Sequence, residues 1–154
     1  MNVRPANLRD AEQVARFNQA MALETENKEL LWDTIYAGVQ RMVASPELGF
    51  YLVSGAADAD VISGCLGVTF EWSDWRNGLF WWIQSVYVDP TCRGQGVFST
   101  MYDRVIQMAE AERDVIGVRL YAERENHRAL STYFKLGMLE TDYRLLEALS
   151  LIHI

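Results

Sequence analysis

Apolar positions along the chain keep a helical period at first, shorten to a period of two, and then alternate between the two. Ala11, Val14, Ala15, Met21 and Ala22 fall at helical spacing behind a capping pair, Asn7 and Asp10, and predict a first helix. Asn18 interrupts its stripe and is expected to be a satisfied polar group at the core's edge. An edge strand over residues 1–4, disturbed by Pro5, precedes it. Residues 23–28 are polar and read as a loop, after which Leu31, Ile35, Val39 and Met42 predict a second helix ending near Pro46. The period then shortens. Residues 50–53 and 61–70 read as antiparallel strands, separated by Gly55 and a turn at Asp58 and Asp60. Asn77-Gly78 is a strong hairpin signal in front of a long strand over residues 79–88. In that strand Phe80, Trp82, Gln84, Val86 and Val88 alternate with Trp81, Ile83, Ser85 and Tyr87. Apolar groups on both faces predict a central, covered strand, in which Gln84 and Ser85 need polar partners.

The long strand ends at Asp89-Pro90 and passes through Thr91-Cys92-Arg93-Gly94-Gln95-Gly96 into a helix whose face is Val97, Met101, Val105 and Met108, running to about Arg113. A strand, a glycine loop and a helix start in that order can aim several backbone N–H groups at one spot, backed by the helix dipole, and so bind an anion such as phosphate. Residues 117–123 predict the next strand, reached by a crossover through the helix. Asn126 can cap a short helix carrying Ala129, Leu130, Tyr133 and Phe134, stopped by Gly137. Residues 138–149 read as a final strand. Residues 150–154 follow no pattern and are expected to be a frayed end or foreign read-through.

Half of the 154 residues are apolar and no Pro, Ser or Gly tract divides them, so residues 1–149 are expected to form one domain with a real core. The net charge of -7 disfavours a nucleic-acid partner and suits a cationic one. Cys65 and Cys92 lie in no metal-ligand or redox spacing, and His127 and His153 are far apart, so ordinary thiols and no metal are expected. With no secretory leader and no apolar run of membrane length, the expectation is a cytoplasmic protein without a membrane partner. Trp72, Trp75, Trp81 and Trp82 crowd one hairpin. They serve either core packing or self-association of two copies, or else form a wall for a cation.

The run Arg93-Gly94-Gln95-Gly96-Val97-Phe98 resembles the Arg/Gln-x-x-Gly-x-Gly/Ala loop of the GNAT superfamily of acyl-coenzyme-A-dependent N-acyltransferases, departing from it at Phe98. Asn126, Ala129, Tyr133 and Gly137 fall at that family's downstream spacing, with Met138 where phenylalanine is usual. The resemblance implies an α/β (α+β) fold: a single GNAT-like domain whose central, splayed, mostly antiparallel mixed sheet is flanked by helices. It implies acetyl transfer from acetyl-coenzyme A to a primary amine by direct attack. The coenzyme's pyrophosphate would meet the amides of Arg93, Gly94, Gln95, Gly96, Val97 and Phe98, with Ser99 at the helix start. Its pantetheine arm would pair with Val86, Tyr87 and Val88, and Asn126 would add a contact. Arg93 would either touch a phosphate or point into solvent.

Such a reaction removes a proton from an ammonium, stabilises an oxyanion and returns a proton to a thiolate. Positioning of the two substrates can supply about 7 to 11 kcal/mol more. By resemblance Tyr133 is the acid that protonates the thiolate. Gln84 stands where many members carry a glutamate base, and an amide accepts no proton near neutral pH. Either Gln84 and Ser85 order a relaying water, or a carboxylate, Glu71 or Glu123, serves instead. Glu24, Glu26, Trp72 and Trp82 are the expected contacts of a small cationic acceptor, with Asp74 adding to the acidic surroundings. Gln84 and Phe98 also motivate an alternative: an acyl-coenzyme-A-binding sensor or partner-binding module with weak or no catalysis.

Overall fold

The computed structural model describes residues 2–56 and 60–149; Asp58 of the expected turn and the expected tail at 150–154 lie outside them. The chain divides into two units, Met1–Glu123 and Arg124–Ile154. The first holds a five-stranded sheet in the order β1 (Val3–Pro5), β2 (Gly49–Ser54), β3 (Gly64–Ser73), β4 (Gly78–Val88) and β5 (Val115–Leu120). Neighbours from β1 to β4 are antiparallel, whereas β5 runs parallel to β4. The sheet is therefore mixed, mostly antiparallel and open, as the resemblance implies. Helices α1 (Ala11–Glu26), α2 (Trp32–Ala44) and α3 (Val97–Ala111) accompany it.

Asn7 and Asp10 form a reciprocal capping box around a short 3-10 turn: Asn7 Oδ1 accepts from the Arg9 amide at 2.9 Å, and Asp10 accepts from the Asn7 amide at 2.8 Å. Buried Asp10 also receives the Arg4 guanidinium at 2.7 and 3.0 Å, which ties β1 to the start of α1. Asn18 is buried and satisfied, its Nδ2 donating to the Val14 carbonyl at 2.9 Å. Helix α1 continues through Glu26, so most of the expected loop at 23–28 is helical. Nothing in Leu-Glu-Thr-Glu breaks a helix, and the stop comes at Asn27, whose left-handed backbone (φ 52°) returns its amide to Ala22 and Leu23. Glu24 and Glu26 consequently sit on a helical turn.

One sheet face buries Tyr51, Val53, Cys65 and Tyr87 against Ala11, Val14 and Ala15 of α1 and Val39 of α2. Helix α3 covers the other face, where Val97 and Met101 approach Gly64 closely enough that a Cβ there would lie 3.1 and 3.3 Å from them. Each fully buried aliphatic side chain of this kind contributes about 1.5–3 kcal/mol relative to exposure. The hairpin forms as expected, with Asn77 at φ 49° and its amide donating to Asp74 at 3.3 Å. Strand β3 starts at Gly64, later than the expected residue 61. Strand β5 starts and ends earlier than expected, so Glu123 lies three residues beyond it.

In the second unit, α4 (His127–Lys135) is capped by Asn126, whose Oδ1 accepts from the Ala129 amide at 3.3 Å. It is closed by Gly137 at φ 92°, with the Met138 amide returning to Tyr133 and the Gly137 amide to Phe134. The expected final strand is a correction: residues 138–149 carry no strand among the described residues. Alternation of apolar and polar side chains can mark a strand, but only a ladder partner for the backbone makes one.

Candidate active site

Strand β4 changes character at its middle. Its β5 neighbour pairs only with the first part, from Leu79 opposite Val115 to Ile83 opposite Leu120. From Gln84 onward that edge of β4 has no ladder partner among the described residues. On the β3 side, Gln84 opposes Gly67 while Tyr87 opposes Cys65, so two residues, Ser85 and Val86, face Leu66 alone. This is a β-bulge. Ser85 takes a left-handed backbone, φ 56°, a conformation that costs a non-glycine residue about 1–3 kcal/mol. Its carbonyl accepts from the buried Cys65 Sγ at 3.5 Å.

The bulge corrects the expected faces. Alternation holds from Phe80 to Gln84, after which Tyr87 shares the face of Gln84, because Cys65 and Gly67, their respective partners, share one face of β3. Burial of Tyr87 against α1 is the consequence. The open edge exposes backbone donors and acceptors of an extended segment, which an amide-bearing arm can join as an added strand.

Beyond Val88, Asp89 Oδ1 accepts from the Thr91 amide at 2.9 Å and shapes a 3-10 turn over Pro90–Cys92. Gly94 and Gly96 then take φ 79° and 80°. No atom lies near where their Cβ atoms would be, so the backbone angle and not crowding demands glycine. No side chain caps α3. Its first-turn amides have no acceptor within the helix and stand at the positive end of its dipole, a ready anion site. Buried Val97 anchors this start, and Ser99 is exposed. The Phe98 ring packs beside Tyr102, 6.0 Å between centroids.

Arg93 is exposed but engaged within the chain. Its Nε donates to the Val88 carbonyl at 2.9 Å, its Nη2 meets both carboxylate oxygens of Glu24 at 2.9 and 3.2 Å, and its charge lies 5.2 Å from the Tyr87 ring centroid. Tyr87 in turn donates its hydroxyl to Glu24 at 3.5 Å. Burial, and then the Glu24 charge, push the Tyr87 phenol above its ordinary range. This set joins the last turn of α1 to the loop after β4. Beside it, Leu23, Glu24, Thr25, Glu26, Asn27, Lys28 and Glu123 line an open cleft of about 570 Å³. Three of the expected residues, Glu24, Glu26 and Glu123, thus meet at one cleft.

The other expected residues divide. Gln84 Nε2 donates to Thr69 Oγ1, a partner that fixes the amide and leaves its carbonyl oxygen as an acceptor. Trp82 shares the face of Gln84 and packs against Tyr121, 5.5 Å between centroids. Glu71 accepts from Arg119 Nη1 at 2.7 Å, and that guanidinium lies 3.5 Å over the Phe80 ring. Trp72, opposite Leu79, is exposed at the far end of the hairpin, roughly 17 Å along β4 from Gln84 at about 3.4 Å per residue. In the second unit Asn126 is engaged as a helix cap, and partial burial pushes the Tyr133 phenol above its ordinary range. Thr69, Arg119 and Tyr121 were not legible as site residues, since no local motif marks them. Among the described residues no group of three His, Cys, Asp or Glu could hold a metal, and no helix is long and apolar enough to cross a membrane.

Residues 9–138 match the family model described as the acetyltransferase (GNAT) family. A protein from Clostridium difficile 630 described as "a possible acetyltransferase" is 39% identical and superposes with a TM-score of 0.89, over 99% of this chain and 98% of that one. A "predicted acetyltransferase with acetyl-CoA" from Clostridium acetobutylicum is 21% identical, with a TM-score of 0.77 over 99% of each chain, a likeness of fold. None of the curated proteins matches the sequence.

Proposed function

Because the chain belongs to the GNAT acetyltransferase family, we propose that it transfers an acetyl group from acetyl-coenzyme A to the primary amine of a small cationic acceptor, by direct attack. The observation that carries the donor is the junction after Ile83. There an unpaired β4 edge leads through two left-handed glycines to an uncapped helix start. These residues suit an extended arm with amides ending in a pyrophosphate: Val86, Tyr87 and Val88 offer backbone to the arm, while the loop from Gly94 to Ser99 offers amides and the helix dipole to the phosphates. The Clostridium acetobutylicum structure, described with acetyl-CoA, supports the choice of donor through fold alone. When bound, the donor supplies an acyl thioester for the amine to attack.

The acceptor is assigned to the cleft of Glu24, Glu26 and Glu123, where an ammonium would compete with Arg93 for Glu24 and with Lys28 for Glu26. Trp82 contributes an aromatic wall on the face of Gln84. Glu71 is held by Arg119, which favours the water route for proton removal, with the Gln84 carbonyl oxygen, oriented through Thr69, holding a water that passes the ammonium proton on to bulk solvent. Tyr133 is the acid and Asn126 adds a coenzyme contact, both by the family's spacing. Tyr133→Phe is expected to lower turnover by about 10²–10⁴-fold with coenzyme affinity nearly unchanged. Calorimetry with coenzyme A, beside thiol release from acetyl-coenzyme A over a panel of polyamines and amino-sugar amines, tests the whole reading. Binding without turnover on any amine would favour the alternative, a coenzyme-binding sensor, which the absence of a carboxylate at residue 84 favours. Failure to bind coenzyme would overturn both.

A further inference from the structure

Tyr51 of β2 is only 7% exposed, yet its hydroxyl makes no hydrogen bond among the described residues. A tyrosine hydroxyl this deep ordinarily has a partner, so this one calls for water or a bound molecule. Register gives its place. Tyr51 pairs with Gly67 and Gly67 with Gln84, so the three share one sheet face across β2, β3 and β4. The ring lies over Gly67, where a Cβ would stand 3.2 Å from Tyr51 Cδ1 and 2.9 Å from Cε1, and a side chain there would displace it. Cε1, the atom farther along the side chain, is the closer of the two, so the ring runs from β2 across β3 and carries its hydroxyl end toward Gln84. Burial, and then Cys65, push the phenol up to about 12, which keeps it a neutral hydroxyl near neutral pH.

We propose that the Tyr51 hydroxyl is the second group that holds the proton-relaying water, donating to its oxygen while the Gln84 carbonyl oxygen accepts one of its protons. The proposal rests on the water route given above. A water held by Gln84 alone has one fixed contact, whereas an ordered buried water usually makes two to four. With both groups engaged, one lone pair remains for an ammonium N–H and one proton for the outward path. The water takes a proton from the ammonium, releases one to bulk solvent and is regenerated, and the freed amine attacks. Tyr51 and Gln84 keep their own protons throughout. Tyr51 is thus a positioning residue, acting through the water.

Tyr51→Phe removes the hydroxyl and keeps the ring. Thiol release, beside calorimetry with coenzyme A, is expected to show kcat lowered about tenfold, the worth of one hydrogen bond made in the transition state. Coenzyme affinity and melting temperature should be unchanged. The decisive arm is Gln84→Glu, which puts a carboxylate base in place of the water, so that Tyr51→Phe in that background should cost less than about twofold. Turnover unaffected by Tyr51→Phe overturns the proposal, as does an equal loss in both backgrounds, because that loss would not act through the water. Should Gln84→Glu be inactive, the solvent isotope effect on single-turnover acetyl transfer decides: a rise in Tyr51→Phe supports the held water, and an unchanged value refutes it. A wild type that binds coenzyme and turns over no amine is a different result, which overturns the acetyl-transfer reading and this proposal with it.

Discussion

The two halves of β4 are one strand in sequence and two materials in structure. From Leu79 to Ile83 every residue has a neighbour on both sides, β3 and β5, and the side chains of Phe80, Trp81 and Ile83 are buried. From Gln84 to Val88 one side has no ladder partner among the described residues, Ser85 holds a left-handed backbone, and only Tyr87 is buried. The difference shows how a sheet can frame a site: the proposed chemistry lies where the ladder is interrupted, and the laddered half holds the interruption in place.

The comparison predicts a separation of effects. Trp81→Ala, in the first half, removes a ring packed edge-on against Phe50 at 5.2 Å and is expected to cost about 3–5 kcal/mol of stability. Coenzyme affinity should stay close to wild type while the variant is folded; chemical denaturation beside calorimetry reads both. A large loss of affinity at full folding would mean that the halves are not separable. The converse is Gly96→Ala, which has room for its Cβ but not the backbone angle for it. It should cost only about 1–2 kcal/mol of stability while weakening coenzyme binding roughly tenfold, a difference of about 1.4 kcal/mol.

Ser85→Gly sharpens the comparison at its boundary. If the left-handed angle is strain maintained by the bulge, glycine relieves it and thermal stability rises by up to about 1 kcal/mol, less what glycine loses in the unfolded chain. An unchanged or lower melting temperature, with the bulge intact by nuclear magnetic resonance, would show that the angle carries no strain.

What the sequence disclosed follows the same division. Periodicity found α1, α2, α3 and β4 because burial on a fixed face writes a repeat, and Asn77-Gly78 and Asn126 were readable because turns and caps need those residue types. The loop at Gly94 and Gly96 was readable for the same reason. The bulge at Ser85 was not: a serine in an alternating strand carries no local sign of a positive φ, and strict alternation puts Tyr87 on the wrong face. The expected final strand is not found among the described residues, because a strand's backbone needs a partner that the pattern of Leu145 and Leu146 does not supply. The bond from Arg93 to Glu24 spans 69 positions and follows no motif. Only the fold brings them together.

That bond gives the smallest expected effect and the most local one. Arg93 and Glu24 are both substantially exposed, so Glu24→Gln should change stability by less than about 1 kcal/mol. Its readout is the neighbouring phenol. Burial and the Glu24 charge hold Tyr87 above the usual tyrosine range, so the stability this phenol contributes is present below its unfolded pKa and is lost as pH rises through the folded one. Removing the charge should move the Tyr87 transition partway back toward the ordinary range, while Tyr51, raised to about 12 by burial on the same sheet face, stays where it is. Absorbance titration of Glu24→Gln against wild type, with Tyr87→Phe to assign the transition, separates the two. If Tyr87 does not move, the charge of Glu24 does not reach the open half of β4, and the link from α1 to the loop is mechanical and not electrostatic.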